Sequence, residues 1–414
     1  MVNFGTEEEN MEKSPNSVVI LAAGVGSRLK SRVPKVFHRV GGLSLLDHVI
    51  KAAKGINPSE IAVVLNPQYK NVELEFSAYV KKAYQEVPKG TADAVACGLS
   101  ALEDDENGWT YVLYGDIPLV SSETLLGLSE VARKCEKTAV VVLAMDAGDA
   151  KDLGKLEPAE EEGAIKSVIE AKDASGFDKV VPLCNAGLLV KKNLLKRFIK
   201  KIKPSASTGE FYITEIVRLA CEAGYVCRYY EGDKNELLGV NTQSELALIE
   251  KKFQERERKK HLENGVTLIS PETVFFSHDT SIESDVTVYP YVVFLKNVRL
   301  KSGAQIGPFC VVEGATVSDA RVGPFARLRT GANIKDGAKI GNFVEIKNSE
   351  ISEGAKVNHL SYIGDANIGK NTNIGAGTIT CNYDGFQKHK TFVGENVFVG
   401  SNVALVAPVQ IHDN

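Results

Sequence analysis

The sequence predicts an α/β domain, then a long helix, then a parallel β-helix, so its fold class is α/β plus β. Two observations support this prediction. Apolar, β-branched runs alternate with helical patterns over residues 17–242, and branched residues recur at steps of six over much of residues 265–414. Alternation is typical of strands and helices packed in layers. A hexapeptide period is typical of a parallel β-helix.

The first region begins after residues 1–16, which are acidic, have no apolar core and are expected to form a loose tail. Buried strands are predicted at Ser17–Ala22, Ile61–Leu65, Thr110–Tyr114 and Thr138–Ala144, and helices at Leu45–Ala53 and Thr91–Leu102. We therefore expect residues 17–242 to form a mostly parallel sheet with helices on both faces. Ligands of such sheets bind at the carboxyl ends of the strands.

Residues 243–264 predict a solvated linker helix, because Leu246, Ile249 and Phe253 form one apolar face and charged residues cover the rest. The hexapeptide ladder then covers residues 265–414. Its clearest runs are Leu328, Ile334, Ile340 and Ile346, and later Val393, Val399, Leu405 and Ile411. The stretch Thr380–Thr391 breaks the period, so we expect it to leave the coil as a loop that carries chemistry.

Composition excludes several classes of protein. The net charge is −4 and no dense Lys/Arg run occurs, which argues against a nucleic-acid binder. No apolar run is long enough for a membrane span. The seven cysteines are scattered without a CxxC pair, which is typical of a reducing compartment and predicts a cytoplasmic protein.

A glycine-rich turn after the first strand is the first candidate site. Gly24 and Gly26 let backbone N–H groups approach a phosphate chain, while Arg28 and Lys35 offer cations to it. A purely structural turn with two exposed cations explains this spacing equally well. Asp116 follows another strand, and Asn241 follows a short apolar run. Together they predict a sparse Mg²⁺ site, although a turn aspartate and a helix cap are the plain alternatives.

The motifs LAAGVGSRLKSRVPKVFH, QEVPKGTADAV, YGDIPLV, EAKD, NAGLLV, GEFYITEI and GVN occur in the order seen in sugar-nucleotide pyrophosphorylases. With the second half included, residues 17–414 resemble the bacterial bifunctional N-acetylglucosamine-1-phosphate uridyltransferases/glucosamine-1-phosphate acetyltransferases. This resemblance implies small-molecule substrates and the synthesis of UDP-N-acetylglucosamine.

For residues 17–242 the resemblance implies a Rossmann-like nucleotidyltransferase domain that transfers uridylyl from UTP to N-acetylglucosamine 1-phosphate. Arg28 and Lys35 are the implied cations of the triphosphate, and Asp116 and Asn241 the implied Mg²⁺ ligands. The residues implied to bind the nucleotide and the sugar are Leu21, Ala22, Ala23, Gly24, Lys35, Gln85, Gly90, Thr91, Tyr114, Gly115, Asp116, Gly154, Glu170, Asn185 and Asn241, with Tyr212 and Thr214 nearby.

For residues 265–414 the resemblance implies a left-handed β-helix acetyltransferase that assembles as a homotrimer through its coils. His359 is the implied general base, although on the residues alone it could be a polar rung of the solenoid. The implied sugar-phosphate residues are Arg329, Lys347, Tyr362, Asn373, Asn382, Tyr383 and Lys388, and the implied acetyl-CoA residues are Ala376 and Ser401.

The sequence departs from the family at several points. Ala186 stands where threonine is usual, and Thr330 where proline is usual. The sequence ends at Asn414 within a coil, and we expect the β-helix to be shortened there. The alternative to a bifunctional enzyme is therefore a uridyltransferase whose β-helix serves only as a trimerisation scaffold.

Overall fold

The computed structural model describes residues 14–24, 26–103, 106–146, 154–170 and 181–414. Most of the expected tail and Val25 of the glycine-rich turn lie outside these residues. The chain divides into two compact units. The first holds residues up to Val40 together with Ser44–Ile249, and the second holds Gly41–Leu43 together with Glu250–Asn414.

The first unit alternates strands and helices, as the sequence predicts. The strands up to residue 231 are β1 Ser14–Ala22, β2 Arg39–Val40, β3 Leu43–Ser44, β4 Pro58–Leu65, β5 Lys81–Tyr84, β6 Trp109–Tyr114, β7 Thr138–Asp146, β8 Lys155–Pro158, β9 Ala164–Ile169, β10 Val181–Lys191 and β11 Val226–Glu231. Strands β2 and β3 form a separate two-stranded sheet. The helices are α1 Leu45–Gly55, α2 Thr91–Ala101, α3 Ser122–Arg133, α4 Lys192–Ile199, α5 Glu215–Glu222 and α6 Lys234–Leu237. They are followed by α7 Gln243–Glu263, whose residues from Glu250 onward belong to the second unit.

The main sheet has the strand order β5-β4-β1-β6-β10-β7-β11-β9-β8. Strands β5, β4, β1 and β6 are parallel to one another, but β10 runs antiparallel to both β6 and β7. The expectation of a mostly parallel sheet therefore holds for β5, β4, β1 and β6, and it is wrong for β10, β9 and β8, which pair antiparallel with their neighbours. Strands β8 and β9 are joined by residues 159–163 and pair antiparallel, since parallel strands require a much longer connection.

Strand β1 lies in the interior of the sheet, and its residues Val18, Val19 and Ile20 are completely buried. The two faces of the sheet carry separate apolar clusters, so helices cover both sides as predicted. Because β1, β4 and β6 are parallel, their carboxyl ends lie at one edge of the sheet. The segments that follow β1 and β6 carry the glycine-rich turn and Asp116.

The predicted long helix is present as α7. The backbone N–H of Glu245 donates to Oγ1 of Thr242 over 3.2 Å, and the N–H of Thr242 donates to Oε2 of Glu245 over 2.8 Å. This reciprocal pair is a capping box, which explains why the helix starts here. Ile249 and Phe253 are each 1% exposed, so two residues of the predicted apolar face are buried, while Leu246 is partly exposed.

The second unit is a parallel β-helix whose strands form three sheets within residues 265–414. One sheet holds β12 Thr267–Leu268, β14 Thr287–Val288, β17 Gln305–Ile306, β20 Arg321–Val322, β23 Lys339–Asn342, β26 Lys356–His359, β29 Asn373–Ile374 and β32 Phe398–Val399. Another holds β13 Ser281–Ile282, β16 Arg299–Leu300, β19 Thr316–Val317, β22 Asn333–Ile334, β25 Glu350–Ile351, β28 Ala366–Ile368, β31 Thr391–Val393 and β34 Val409–Ile411. The third holds β15 Val293–Phe294, β18 Val311–Val312, β21 Arg327–Leu328, β24 Glu345–Lys347, β27 Tyr362–Gly364, β30 Ile379–Cys381 and β33 Ala404–Val406.

The hexapeptide ladder forms the core of this unit. Leu328, Ile334, Ile340 and Ile346 are at most 1% exposed and belong to one continuous cluster. Each coil places its ladder residues beneath those of the next coil, so neighbouring coils bury one another. The predicted loop is also present, because residues 382–390 leave the coil between β30 and β31.

Candidate active sites

The glycine-rich turn after β1 opens toward solvent at Gly24. A Cβ atom built on Gly24 has no heavy atom within 4 Å, so the fold does not require glycine there for packing. Gly26 differs, because its φ of +66° favours glycine and a Cβ atom there would collide with the side chain of Lys35. The space beside Gly24 is therefore open to a ligand, whereas the space beside Gly26 is filled by the side chain of Lys35.

A cavity of about 270 Å³ lies beside this turn. Its walls come from the carboxyl ends of β1 and β6 and from the start of α2. The residues that line it are Leu21, Ala22, Ala23, Gly24, Lys35, Val36, Gln85, Pro88, Gly90, Thr91, Ala94, Tyr114, Asp116 and Glu210. Gln85 is 4% exposed, and its Nε2 donates to the carbonyl of Gly90 and to the carboxylate of Asp93.

A larger cavity of about 770 Å³ adjoins the first one and shares Thr91, Tyr114, Asp116 and Glu210 with it. Its other lining residues are Arg28, Ile117, Met145, Gly154, Glu170, Asn185, Ala186, Tyr212, Lys234, Leu237, Leu238, Gly239, Asn241 and Glu245. The two cavities thus gather the nucleotide and sugar residues named from the sequence. The exceptions are Gly115, whose N–H donates to the carbonyl of Leu21, and Thr214, which lines a separate cavity with Glu170 and Tyr212.

Lys35 lies at the junction of the predicted cations and the predicted metal ligands. Its ammonium group forms an ion pair with the carboxylate of Asp116 and donates to Oδ1 of Asn241 over 2.7 Å. The guanidinium of Arg28 donates to the same oxygen over 3.0 Å. The backbone N–H of Val240 donates to the carbonyl of Asp116 over 3.0 Å, which ties the two predicted ligands together.

Asn241 is fixed by the cap of α7. Its N–H donates to Oε2 of Glu245 over 2.7 Å, and the same carboxylate accepts from Thr242. The helix-cap alternative and the metal-ligand prediction are therefore compatible, since the backbone serves the cap while the side chain faces Lys35. Among the described residues, no group of three or more His, Cys, Asp or Glu side chains could hold a metal ion.

Polar contacts define the far wall of the larger cavity. Asn185 donates to the hydroxyl of Tyr114 over 3.0 Å, and the hydroxyl of Thr214 donates to Glu170 over 2.6 Å. Burial raises the pKa of Tyr114, and the charge of Glu170 raises it further, so this hydroxyl stays protonated. Glu210 lines both cavities and was not among the residues predicted from the sequence, although it stands in the quoted motif GEFYITEI.

In the β-helix, His359 belongs to a column of residues at one corner of the coils. Asn342 pairs with His359 in register. In the next two coils Val357 pairs with Ile374, and Ile374 pairs with Val399. The residues two positions after these three are His359, Ala376 and Ser401, so they lie in the same column. The N–H groups that follow Ala376 and Ser401 donate to the carbonyls of His359 and Ala376, respectively. The structure therefore aligns His359 with the predicted acetyl-CoA residues.

Asn342 orients the ring of His359. Nδ1 of His359 lies 3.0 Å from Oδ1 of Asn342. Because an amide oxygen only accepts hydrogen bonds, Nδ1 carries the proton and Nε2 keeps its lone pair in the neutral ring. The sequence analysis missed Asn342, whose only signal is its place one coil before His359.

The predicted sugar-phosphate cations meet on the adjoining face. Side-chain contact with Lys347 lowers the pKa of Lys388, and charge repulsion from the same residue lowers it further. Arg329 donates to Glu345 over 2.7 Å, and Nδ2 of Asn382 lies 3.4 Å from the hydroxyl of Tyr362. Tyr383 forms an antiparallel bridge with Lys388. The described contacts do not connect Asn373 with this group.

Comparisons with known proteins identify the family of this chain. Residues 18–202 match the MobA-like NTP transferase domain family. The chain is 42% identical to the bifunctional protein GlmU of Paramagnetospirillum magneticum, over 97% of this chain and 89% of that relative. It is 46% identical to the bifunctional protein GlmU of Rhodospirillum rubrum, over 95% of this chain and 88% of the relative.

A third relative, the bifunctional protein GlmU of Wolbachia pipientis wMel, is 42% identical over 97% of this chain and 93% of its own length. Among the described residues, no helix is long and apolar enough to cross a membrane. Identity at this level spans both the α/β unit and the β-helix. The family resemblance seen in the sequence is confirmed, and the chain belongs to the family of bifunctional GlmU proteins.

Proposed function

We propose that this chain makes UDP-N-acetylglucosamine in two reactions, one in each unit. The β-helix transfers acetyl from acetyl-CoA to glucosamine 1-phosphate. The α/β unit then transfers uridylyl from UTP to the resulting N-acetylglucosamine 1-phosphate and releases pyrophosphate. The observation that carries the proposal is that one chain contains both features: two adjoining cavities next to the Lys35–Asp116 ion pair in the α/β unit, and an oriented histidine in the β-helix.

The smaller cavity suits the nucleotide. Both N–H bonds of the Gln85 amide are used inside the protein, which leaves its oxygen to accept from the imide N–H of uracil. The open backbone at Gly24 lets the triphosphate approach closely. The larger cavity suits the amino sugar, because Asn185, Glu170 and the protonated Tyr114 offer both donors and acceptors to its hydroxyl and acetamido groups.

The oxygen atoms of Asp116 and Asn241 fit Mg²⁺. One carboxylate and one amide oxygen already converge on a cation, the ammonium of Lys35. Hard oxygen donors in small number suit Mg²⁺, which takes its remaining ligands from water and phosphates. When bound, the ion neutralises negative charge on the phosphates.

The uridylyl transfer then requires positioning and charge neutralisation. A phosphate oxygen of the sugar phosphate attacks the α-phosphorus of UTP, and the bond from that phosphorus to the bridging oxygen of pyrophosphate breaks. Arg28 and Lys35 lie on the same side of Asn241 and can stabilise the charge that develops on the leaving group. The two cavities hold the reactants next to each other, which lowers the entropic cost of the reaction.

The acetyl transfer uses His359 as a general base. Asn342 holds the ring with Nε2 unprotonated, so Nε2 can take a proton from the 2-amino group as the nitrogen attacks the thioester carbonyl. The carbon–sulfur bond breaks, and the leaving thiolate takes up the proton that His359 removed, so coenzyme A leaves as the thiol. Lys347, Lys388 and Arg329 supply the charge that holds the sugar phosphate nearby.

A homotrimer formed through the β-helix and a cytoplasmic location are part of the proposal. An exposed aromatic ladder supports the assembly, since Tyr291, Phe309, Phe325 and Phe343 stack along one corner with centroids 4.8 to 5.3 Å apart. Each of these rings is about half exposed in the single chain. Exposed apolar stripes of this kind mark interaction surfaces. The proposed cytoplasmic location is supported by the substrates, because UTP and acetyl-CoA are found in the cytoplasm.

The two reactions can be tested separately. Pyrophosphate release from UTP and N-acetylglucosamine 1-phosphate measures the first unit, and free thiol release from acetyl-CoA and glucosamine 1-phosphate measures the second. We expect both, and we expect His359→Ala to abolish only thiol release. Pyrophosphate release without any thiol release would favour the alternative, a uridyltransferase whose β-helix serves only as a trimerisation scaffold.

A further inference from the structure

The segment 382–390, called the hairpin loop below, carries Lys388 but lies outside the coils that rigidify its neighbours. Two contacts give it the form of a hairpin. Tyr383 and Lys388 form an antiparallel bridge, and the N–H of His389 donates to the carbonyl of Asn382 over 2.8 Å. The tip projects into solvent, where Phe386 is 92% exposed. The solenoid core therefore contributes little to holding this tip in place.

Asp384 fixes the tip from within. Its Oδ1 accepts from the backbone N–H groups of Phe386 and Gln387 over 2.8 and 2.7 Å, and its Oδ2 lies 2.7 Å from Nε2 of His389. The hydrogen bonds from the N–H of Gln387, from the His389 ring and from the N–H of Phe386 hold the pKa of Asp384 well below its usual range. One carboxylate thus fastens both arms of the hairpin loop on either side of Lys388.

The base of the hairpin loop is anchored separately. Asn382 is 8% exposed and donates to the carboxylate of Asp365, which is 7% exposed. Asp365 also accepts from Asn348 over 2.6 Å, and its own N–H donates to the carbonyl of Lys347 over 3.0 Å. This chain of contacts connects the hairpin loop to the strand that carries Lys347.

The anchored hairpin loop keeps two positively charged side chains, those of Lys347 and Lys388, close to each other. The contacts through Asn382 and Asp365 bring the loop of Lys388 to the strand of Lys347, whose side chain contacts that of Lys388, and like charges repel one another. The carboxylate of Asp365 attracts both lysines and offsets part of this repulsion, and the hairpin loop restrains Lys388 against the remainder. Two ammonium groups held together before binding form a ready site for a phosphate dianion, because the ordering cost is met by the fold.

We propose that Asp384 and His389 are positioning residues for substrate recognition in the acetyl-transfer site, and that they hold Lys388 against Lys347 to bind the phosphate of the amino sugar. The proposal rests on the acetyl transfer proposed above and adds a structural reason for its phosphate selectivity. Asp384 and His389 do not touch the reacting atoms. Their effect is exerted through the position of Lys388.

Steady-state acetyl transfer by the full chain tests this proposal. Asp384→Ala should raise the KM for glucosamine 1-phosphate by about tenfold, the loss expected for one weakened charge-assisted contact. The kcat and the KM for acetyl-CoA should change by less than about twofold, because the base and the thioester site are untouched. Asp384→Asn should recover part of the loss, since its amide oxygen still accepts from the two backbone N–H groups.

His389→Ala should raise the same KM by a smaller factor and serves if Asp384→Ala does not fold. Gln387→Ala is the matched control, because the backbone N–H that Asp384 accepts remains. An unchanged KM for glucosamine 1-phosphate in both Asp384→Ala and His389→Ala, or an equal loss in kcat and in both KM values, would overturn the proposal. Failure of the unmodified chain to acetylate glucosamine 1-phosphate would instead reject the proposed acetyl transfer itself.

Discussion

Replacing Gly24 by alanine should slow uridylyl transfer by about 100-fold without weakening the fold. A Cβ atom at this position has no heavy atom of the protein within 4 Å, so the added methyl group meets no neighbour. Alanine also has less conformational freedom than glycine in the unfolded chain, which stabilises a protein by about 0.4–1 kcal/mol where the backbone is compatible. We therefore expect the melting temperature of the α/β unit to stay constant or to rise slightly.

The effect on activity follows from the cavity beside Gly24. The methyl group would enter a space of about 270 Å³ that the nucleotide should fill. A displacement of the reacting groups by about 1 Å costs on the order of 100-fold in rate. We therefore expect kcat/KM for UTP to fall by about 100-fold, which corresponds to about 2.7 kcal/mol of transition-state stabilisation.

The matched control is Gly26→Ala in the same turn. Its φ of +66° and its approach to Lys35 make alanine strained there, so this variant should lose both stability and activity. Pyrophosphate release at varied UTP and thermal unfolding give the two measurements. The reasoning is refuted if Gly24→Ala keeps full activity, which would mean that no ligand approaches this backbone, or if Gly24→Ala melts well below the parent protein.

Three further predictions concern other parts of the chain. Asp116→Asn should weaken Mg²⁺ activation of pyrophosphate release, seen as a rise in the Mg²⁺ concentration needed for half-maximal rate, and an unchanged requirement would exclude Asp116 as a ligand. Ile346→Ala should destabilise the β-helix by about 2–5 kcal/mol in denaturant titrations, because Ile346 is fully buried in the solenoid core, while uridylyl transfer continues. Burial lowers the pKa of His261 to about 4 from an ordinary 6.5, so the unfolded chain binds its proton first as the pH falls. Stability should therefore decline below about pH 6.5, by about 2 kcal/mol at pH 5 for this residue, and His261→Phe should remove that part of the decline.

The β-helix could be predicted from the sequence because its period is local. Each six-residue step places one branched side chain inside, and residues such as Ile340 and Ile346 are accordingly buried. The loop that breaks the period was predicted for the same reason. The antiparallel strand β10 was not predicted, since an apolar run such as NAGLLV reveals a buried strand but not its direction.

Some residues of the candidate sites could likewise be predicted from local sequence, and others could not. Residues next to strand ends, such as Gly24 and Asp116, could be placed at one edge of the sheet from the sequence. Asn342 could not be found, because its contact with His359 depends on the register between two coils. Glu210 reaches both cavities from a distant segment, so only the tertiary structure reveals it.

The most direct test of the central claim is a mixing experiment with glucosamine 1-phosphate, acetyl-CoA and UTP supplied together. The account predicts that the parent chain makes UDP-N-acetylglucosamine, that His359→Ala and Lys35→Ala each make none alone, and that equal amounts of the two variants restore product. The released intermediate, N-acetylglucosamine 1-phosphate, should also rescue His359→Ala but not Lys35→Ala. Product from either variant alone, or none from the mixture, would contradict two separate catalytic sites in one chain.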